Sequence, residues 1–303
     1  MKILITGGAG FIGTHVRKRL SEHDISIIDA YEERVHGFDA ARDARYCAAV
    51  TLDDLHDVEV IIHLAAQVGV ADSMTDPLRY VTDNTWDTAA FLNFLRTSGA
   101  RPRRFIVASS MSVYGDPHTS SPITEDHPIR PASVYGLTKF DQEQLCLMYG
   151  EMLGISTAAL RFFNVYGPGQ ALTNPYTGVL AIFANAFLNG EIPTVYEDGL
   201  QTRDFIYVED IAEAVARMAL NEASGIFNVC TGRRQTVLGA SHALSENLLG
   251  TLKLPHVTHT TRPGDIRHCV GSNTRLREAL PGWEPRTFEE GIALYAEALK
   301  ARV

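Results

Sequence analysis

The stretch TGGAGFIG, residues 6–13, decides how this chain is read. It lies between KILIT (2–6), which reads as a strand, and THVRKRLSEH (14–23), which reads as a helix. Gly7, Gly10 and Gly13 form G-x-x-G-x-x-G. Glycine permits a tight turn, close approach of backbone to a pyrophosphate, and close helix–strand packing. The helix N-terminus beyond it offers free N–H groups to phosphate oxygens. Gly7, Gly10, Phe11, Ile12 and Gly13 are therefore the expected cofactor-binding turn. Asp29 closes the next strand, ISIID (25–29), at about the 20-residue distance at which a ribose-binding acid belongs. A carboxylate there accepts hydrogen bonds from ribose hydroxyls and repels a 2′-phosphate, which favours NAD over NADP; Arg34 lies nearby.

Outward from this turn, short β-rich runs alternate with helical ones. VEVIIHLA (58–65) is nearly continuous apolar sequence, as in a strand buried on both faces. It runs into HLAAQ, whose Leu64, Ala65, Ala66 and Gln67 suit a cofactor lying across the sheet's carboxyl edge. DNTWDTAAFLNFLRTSG (83–99) predicts a helix ending at Gly99, RFIVAS (104–109) a strand, 133–153 a long helix and ISTAALRFF (155–163) a strand. Such alternation predicts an α/β fold: a Rossmann-type doubly wound parallel sheet covered on both faces. After Asn164 the pattern changes, and Pro and Gly are dense from 167 to 178. Residues 203–220 return to strand-then-helix order, and further helices are expected near 237–249 and 287–300. The expected division is an NAD-binding domain over 1–165 plus about 203–232. A smaller α/β substrate-binding lobe would take about 166–202 and 233–303.

With 303 residues, 45% apolar and 21% charged, the chain has the composition of a soluble globular protein. A net charge of -9 argues against nonspecific binding to a nucleic-acid backbone. Cys47, Cys146, Cys230 and Cys269 show no metal-ligand spacing and read as reduced thiols of a cytoplasmic protein; no metal site is expected. No run approaches the roughly 20 apolar residues of a membrane span, and MKILITGGAGF lacks the longer apolar core of a signal peptide.

The candidate chemistry lies at ASSMSVYG (108–115) and YGLTK (135–139). Four residues apart on a helix, Tyr135 and Lys139 share a face. A free tyrosine titrates near pH 10, and a nearby ammonium favours its phenolate. Ser110, at the strand tip, would hydrogen-bond the substrate oxygen that Tyr135 protonates or deprotonates.

TGGAGFIG, HLAAQ, SSMSVYG (109–115), YGLTK, RFFNVYGPGQ (161–170), DGLQTRDFIYVED (198–210) and RPGDIRH (262–268) together resemble the extended short-chain dehydrogenase/reductases, in the nucleotide-sugar epimerase/dehydratase group. The resemblance implies a tightly held NAD and a second lobe gripping a nucleoside diphosphate sugar. It puts Asn164 and Arg203 on the diphosphate, Arg262 on a phosphate and Asp265 on a ribose hydroxyl, with Ser110, Met111, Ser112 and Tyr196 also on the substrate side. Val50 stands where the family usually has an adenine-contacting Asp; Asp53 is the alternative. Further local stretches, AAQVGVADSM (65–74) and GPGQALTNPYTGV (167–179), resemble dTDP-L-rhamnose 4-epimerase-like and UDP-sugar 4-epimerase enzymes.

In the family's 4,6-dehydratases a carboxylate pair follows the serine or threonine of the strand tip. Here Met111 and Ser112 stand in those places, and neither can act as the acid or base that elimination requires. The resemblance therefore implies an NAD-dependent nucleotide-sugar 4-epimerase, an isomerase acting on a UDP- or dTDP-hexose with Ser110, Tyr135 and Lys139 as its catalytic set. The alternatives are an NAD(P)H-dependent 4-ketoreductase and, further off, a dehydratase or a noncatalytic NAD-sensing module. The resemblance also implies a homodimer formed through helices 83–99 and 133–153. Ala90, Leu92, Phe94, Leu95, Leu145 and Met148 could serve that interface or the core.

Overall fold

Strand β1 (Lys2–Thr6) is flanked on both sides by other strands and is buried from Ile3 to Thr6. The computed structural model describes residues 1–30, 45–46, 50–172, 178–260 and 266–301. Arg34, Cys47, Arg262 and Asp265 lie outside the described residues. The sheet continues with β2 (Asp24–Asp29), β3 (Arg45–Tyr46), β4 (Val60–His63), β5 (Arg104–Ser110) and β6 (Ser156–Phe162). Later strands are β7 (Asn164–Tyr166), β8 (Thr194–Val195), β9 (Thr202–Arg203), β10 (Phe205–Tyr207), β11 (Gly225–Val229), β12 (Gln235–Thr236), β13 (His256–Val257) and β14 (His268–Cys269). Seven strands form one sheet in the order β11-β6-β5-β4-β1-β2-β3, with every neighbouring pair parallel. This is the doubly wound order with one further strand at its edge.

The sheet's apolar residues divide by the two-residue period of a strand. Ile3, Ile5, Val60, Ile62, Ile106 and Leu160 face one core, covered by helices α1 (Phe11–Arg19) and α5 (Val208–Leu220). Leu4, Ile61, Phe105, Val107 and Ala159 face the other, covered by α2 (Asp87–Ser98) and α3 (Val134–Leu153). A further core gathers Tyr166, Phe205 and Tyr207 of the β7–β10 pair. Onto them pack α4 (Val179–Leu188), α6 (Val237–Leu249) and α7 (Phe288–Lys300), through Phe183, Leu244, Ile292 and Tyr295.

Two expected helices have different limits. The first begins at Phe11, inside the glycine motif, because Gly10 with extended backbone is already its N-cap. The second is preceded by short helices Val70–Thr75 and Pro77–Tyr80 and a π-helical turn, Val81–Trp86. The apolar period does not reveal that turn, because it inserts an extra residue.

The chain leaves β1 toward β2 and β3 on one side and returns to β4 on the other. Thr6 and His63, paired in register, are the last residues of the two strands at this reversal. In doubly wound sheets the ligand crevice opens there.

Candidate active site

The glycine turn is held from below by Asp29, whose Oδ2 accepts from Ala9 N at 2.8 Å. Gly7 has φ +73°, and a Cβ on it would lie 2.6 Å from Ala65 N. The turn and the HLAAQ segment thus abut backbone to backbone, and only glycine fits between them. Gly13 would place a Cβ 2.4 Å from Gly7 O, so its missing side chain lets α1 start directly on the turn. Gly10 provides no side-chain cap, and the first turn of α1 carries no acidic residue. A helix start with neither a side-chain cap nor an acidic first turn suits an anion. Ile12 packs into the core, whereas the Phe11 ring meets His15 edge-on. Leu64, Ala65, Ala66 and Gln67 are partly exposed along the crevice. These residues fit a dinucleotide with its pyrophosphate on the turn. Val50 packs against the apolar core, and Asp53 is an exposed residue in the first turn of the short helix Leu52–Leu55.

Ser110 ends β5, and Tyr135 sits in the first turn of α3. Gly136 lets them meet: a Cβ there would stand 2.5 Å from Ser112 O, so α3 lies directly on the strand tip. Ser133 caps α3, accepting from Gly136 N at 3.0 Å, and Ser73 Oγ accepts from Tyr135 N at 3.0 Å. Burial pushes the Tyr135 hydroxyl above its ordinary titration range, and a side-chain hydrogen bond with Ser110 draws it back.

Lys139, one turn on, is buried, and its Nζ donates to Gln142 Oε1 at 2.6 Å. Burial pushes its pKa down to about 8, opposed by Cys146 and Glu143. Gln142 Nε2 donates to Thr88 Oγ1 at 2.8 Å and to Ala65 O at 3.2 Å. Thr88 Oγ1 lies 3.0 Å from His63 Nε2, and His63 Nδ1 lies 2.7 Å from Thr6 Oγ1. Burial and then the Lys139 charge push His63 down to about 3, so its ring is neutral. The π-helical turn points Asn84 into the same region. Its amide accepts from Gln67 N at 2.7 Å and donates to Gln67 O at 3.1 Å and Thr138 Oγ1 at 3.0 Å. Asn84, Thr88, Gln142 and His63 were not among the residues expected from the sequence. The only trace was polar residues at helical positions that face a core.

On the substrate side the described expected residues lie on or next to β5, β7, β8 and β9. Met111 and Ser112 lie in the 3₁₀ turn Met111–Tyr114. Met111 Sδ accepts from Cys269 Sγ at 2.9 Å, and Ser110 Oγ donates to Ser112 Oγ at 3.2 Å. Asn164 Nδ2 donates to Asp204 O at 3.2 Å; Arg203 Nη1 donates to Thr202 O at 3.0 Å and Ile266 O at 2.5 Å. Tyr196 follows β8, and its carbonyl accepts from Gln201 Nε2 at 2.9 Å. Asp204 is fully buried and accepts from Thr231 N, Thr231 Oγ1, Gly232 N and Gly271 N, tying three loops together. Burial pushes its carboxyl up to about 6 against these donors. Among the described residues there is no cluster of three His, Cys, Asp or Glu that could hold a metal, and no helix is long and apolar enough to cross a membrane.

The sheet order, the glycine turn and the acid that ends β2 are those of a Rossmann-type dinucleotide-binding fold. Comparison with known proteins is consistent with this. A family described as "NAD dependent epimerase/dehydratase family" matches residues 3–230. A putative UDP-glucose 4-epimerase of Methanocaldococcus jannaschii is 37% identical over 96% of this chain and 95% of its own length. A dTDP-L-rhamnose 4-epimerase of Burkholderia thailandensis is 31% identical over 96% and 93%. The crystal structure of a Thermus thermophilus UDP-glucose 4-epimerase complexed with NAD is 30% identical and superposes with a TM-score of 0.87, covering 100% of both chains. The chain belongs to the NAD-dependent epimerase/dehydratase family, the extended short-chain dehydrogenase/reductases, and is an NAD-dependent isomerase.

Proposed function

We propose that the protein is a 4-epimerase of a nucleoside diphosphate hexose carrying UDP or dTDP. Ser110, Tyr135 and Lys139 act at C4 of the sugar, while Asn164, Tyr196, Arg203, Arg262 and Asp265 grip the nucleotide. The observation that carries this reading is the paired Ser110 and Tyr135 hydroxyls beside a strand tip whose next two residues, Met111 and Ser112, carry no carboxylate. Bound NAD supplies the hydride acceptor and donor. Tyr135 takes the C4 hydroxyl proton and later returns it, and Ser110 aligns the C4 oxygen. Lys139 holds the nicotinamide ribose and favours the phenolate by its charge. Between the two proton transfers the 4-keto sugar turns over while its diphosphate stays held.

Met111 engages Cys269 and Ser112 engages Ser110, so neither place supplies a base for the C5 proton. Turnover of UDP-glucose, dTDP- and GDP-sugars in deuterated water, followed by NMR, tests this. The expected product is a C4 epimer without deuterium at C4 or C5. Loss of water with deuterium uptake would instead mark a dehydratase, and stoichiometric consumption of reduced nicotinamide with a 4-keto sugar nucleotide would mark a ketoreductase.

The reading includes a cytoplasmic homodimer. Buried free thiols at Cys146, Cys230 and Cys269 support a reducing compartment. Trp86 and Met148 are 68% and 65% exposed on the helices expected to pair, and Leu78, 75% exposed, lies on the short helix Pro77–Tyr80 just before the first of them. Leu92 and Leu95, by contrast, fill the core, and Phe94 and Leu145 pack against it, so only Met148 and the exposed Ala90 of the expected stripe remain for an interface. Light scattering should give a dimer, with Trp86→Glu dissociating it; a native monomer over a wide concentration range would refute this part.

A further inference from the structure

Lys139 is a buried cation whose hydrogen bond runs away from the catalytic tyrosine, along its own helix to Gln142. An ammonium has three donors and no acceptor, so the atom 2.6 Å away must be the amide oxygen. That fixes the orientation of the Gln142 amide. Gln142 Nε2 then donates to Thr88 and to Ala65 O. His63 Nε2 bonds Thr88 Oγ1 at 3.0 Å and lies 3.3 Å from Gln142 Nε2, and His63 Nδ1 bonds Thr6 Oγ1 at 2.7 Å. The line of hydrogen bonds ends at Thr6, the residue before Gly7. Gln142 and Thr88 are both buried, so none of these bonds is exchanged for water.

We propose that Gln142 is a positioning residue for Lys139: it takes one of the three ammonium donors, aims the other two into the cofactor crevice, and docks the Ala65 segment to the same helix. The inference rests on the catalytic reading of Tyr135 and Lys139 given above. Removing the amide leaves the buried ammonium short of a partner and favours its neutral form. A carboxylate in its place favours the charged form. The charged and titratable groups near Lys139 are Tyr135, Glu143 and Cys146 on α3, His63 on β4, and Arg161 on β6, paired with Glu143. Asp72, Tyr80, Asp83, Asp87 and Tyr114 lie on the other elements packed against α3 and are constant across the variants.

The test uses the full chain with [ε-¹³C]lysine, which has five lysines to resolve. Loss of one resonance in Lys139→Met identifies the signal, and its titration is followed by NMR alongside the pH profile of UDP-glucose epimerisation. In the native protein the midpoint should fall near 8. Gln142→Leu should move it down by about one pH unit and lower kcat about tenfold, and Gln142→Glu should move it up by a similar amount. The alkaline limb of the activity profile should move with it in both directions. A residue that merely fills space would lower activity without opposite displacements. If both variants leave the midpoint and the limb in place while Lys139→Met abolishes turnover, the role of Gln142 is refuted. If Lys139→Met keeps turnover and its alkaline limb, the catalytic reading itself fails, and the inference with it. Should Gln142→Leu not fold, Gln142→Glu keeps the volume and an acceptor, and its upward shift decides the question alone.

Discussion

Arg161 and Glu143 meet as a two-pronged pair behind the strand tip, Nη2 to Oε1 at 2.6 Å and Nε to Oε2 at 2.9 Å, with both side chains buried. Ser109 Oγ donates to the same carboxylate at 2.7 Å, so the pair ties β5, β6 and α3 together beside Ser110. Breaking a buried pair strands one charge without solvent. Arg161→Met should cost about 3–5 kcal/mol in urea denaturation, and a double-mutant cycle with Glu143→Gln should show strong coupling. A loss under about 1 kcal/mol, the scale of an exposed pair, would mean that water reaches the site.

Gly136→Ala should disconnect Tyr135 from Ser110 while leaving the fold in place. The added Cβ meets Ser112 O, a backbone atom that cannot rotate away. Displacing α3 by a fraction of an ångström to about 1 Å should cost about 10²-fold in kcat with NAD still bound. Stopped assays and fluorescence of bound cofactor measure the two effects separately, and native kcat would contradict the close approach.

Asp29→Ala removes an acceptor from the glycine turn and, on the proposed reading, from the ribose. NAD affinity should fall about tenfold, and Asp29→Asn, which keeps an acceptor for Ala9 N, should lose less. Fluorescence titration measures this. A preference for NADP over NAD in the unaltered protein would overturn the role of the acid.

Tyr135→Phe should abolish turnover and leave sugar-nucleotide binding nearly native, because it removes the proton acceptor and little volume. Ser110→Ala should cost about 10²–10⁴-fold in rate. Calorimetric binding beside an epimerisation assay separates chemistry from affinity; near-normal turnover in either variant would show that the site is elsewhere.

Glu125 and Asp72 are the first candidates to examine if a carboxylate does act. Glu125 is almost wholly buried, accepting from Asn228 N at 2.8 Å, and Asp72 accepts from Tyr80 OH at 3.2 Å. Deuterium at C5 of the product would therefore direct attention to Asp72.

By itself the sequence determined what is local or periodic. The glycine spacing of TGGAGFIG, the apolar runs 2–6, 58–65 and 104–109 and the four-residue step from Tyr135 to Lys139 depend only on backbone freedom and on the 2.0 and 3.6 periods. The doubly wound sheet, the tight glycine turn ahead of α1 and the placement of Tyr135 and Lys139 one turn apart on α3 were legible for that reason. Tertiary structure alone decided the partners. That Gln142 rather than a catalytic group receives the Lys139 hydrogen bond depends on α2, α3 and β4 converging from positions up to 79 residues apart in the chain. The same holds for Asn84, which a π-helical turn places against Gln67, and for Gly136, where a missing Cβ lets one backbone touch another. Hydrogen-bond partners and close backbone approaches across a fold leave no period in the sequence. They are fixed when the cores close.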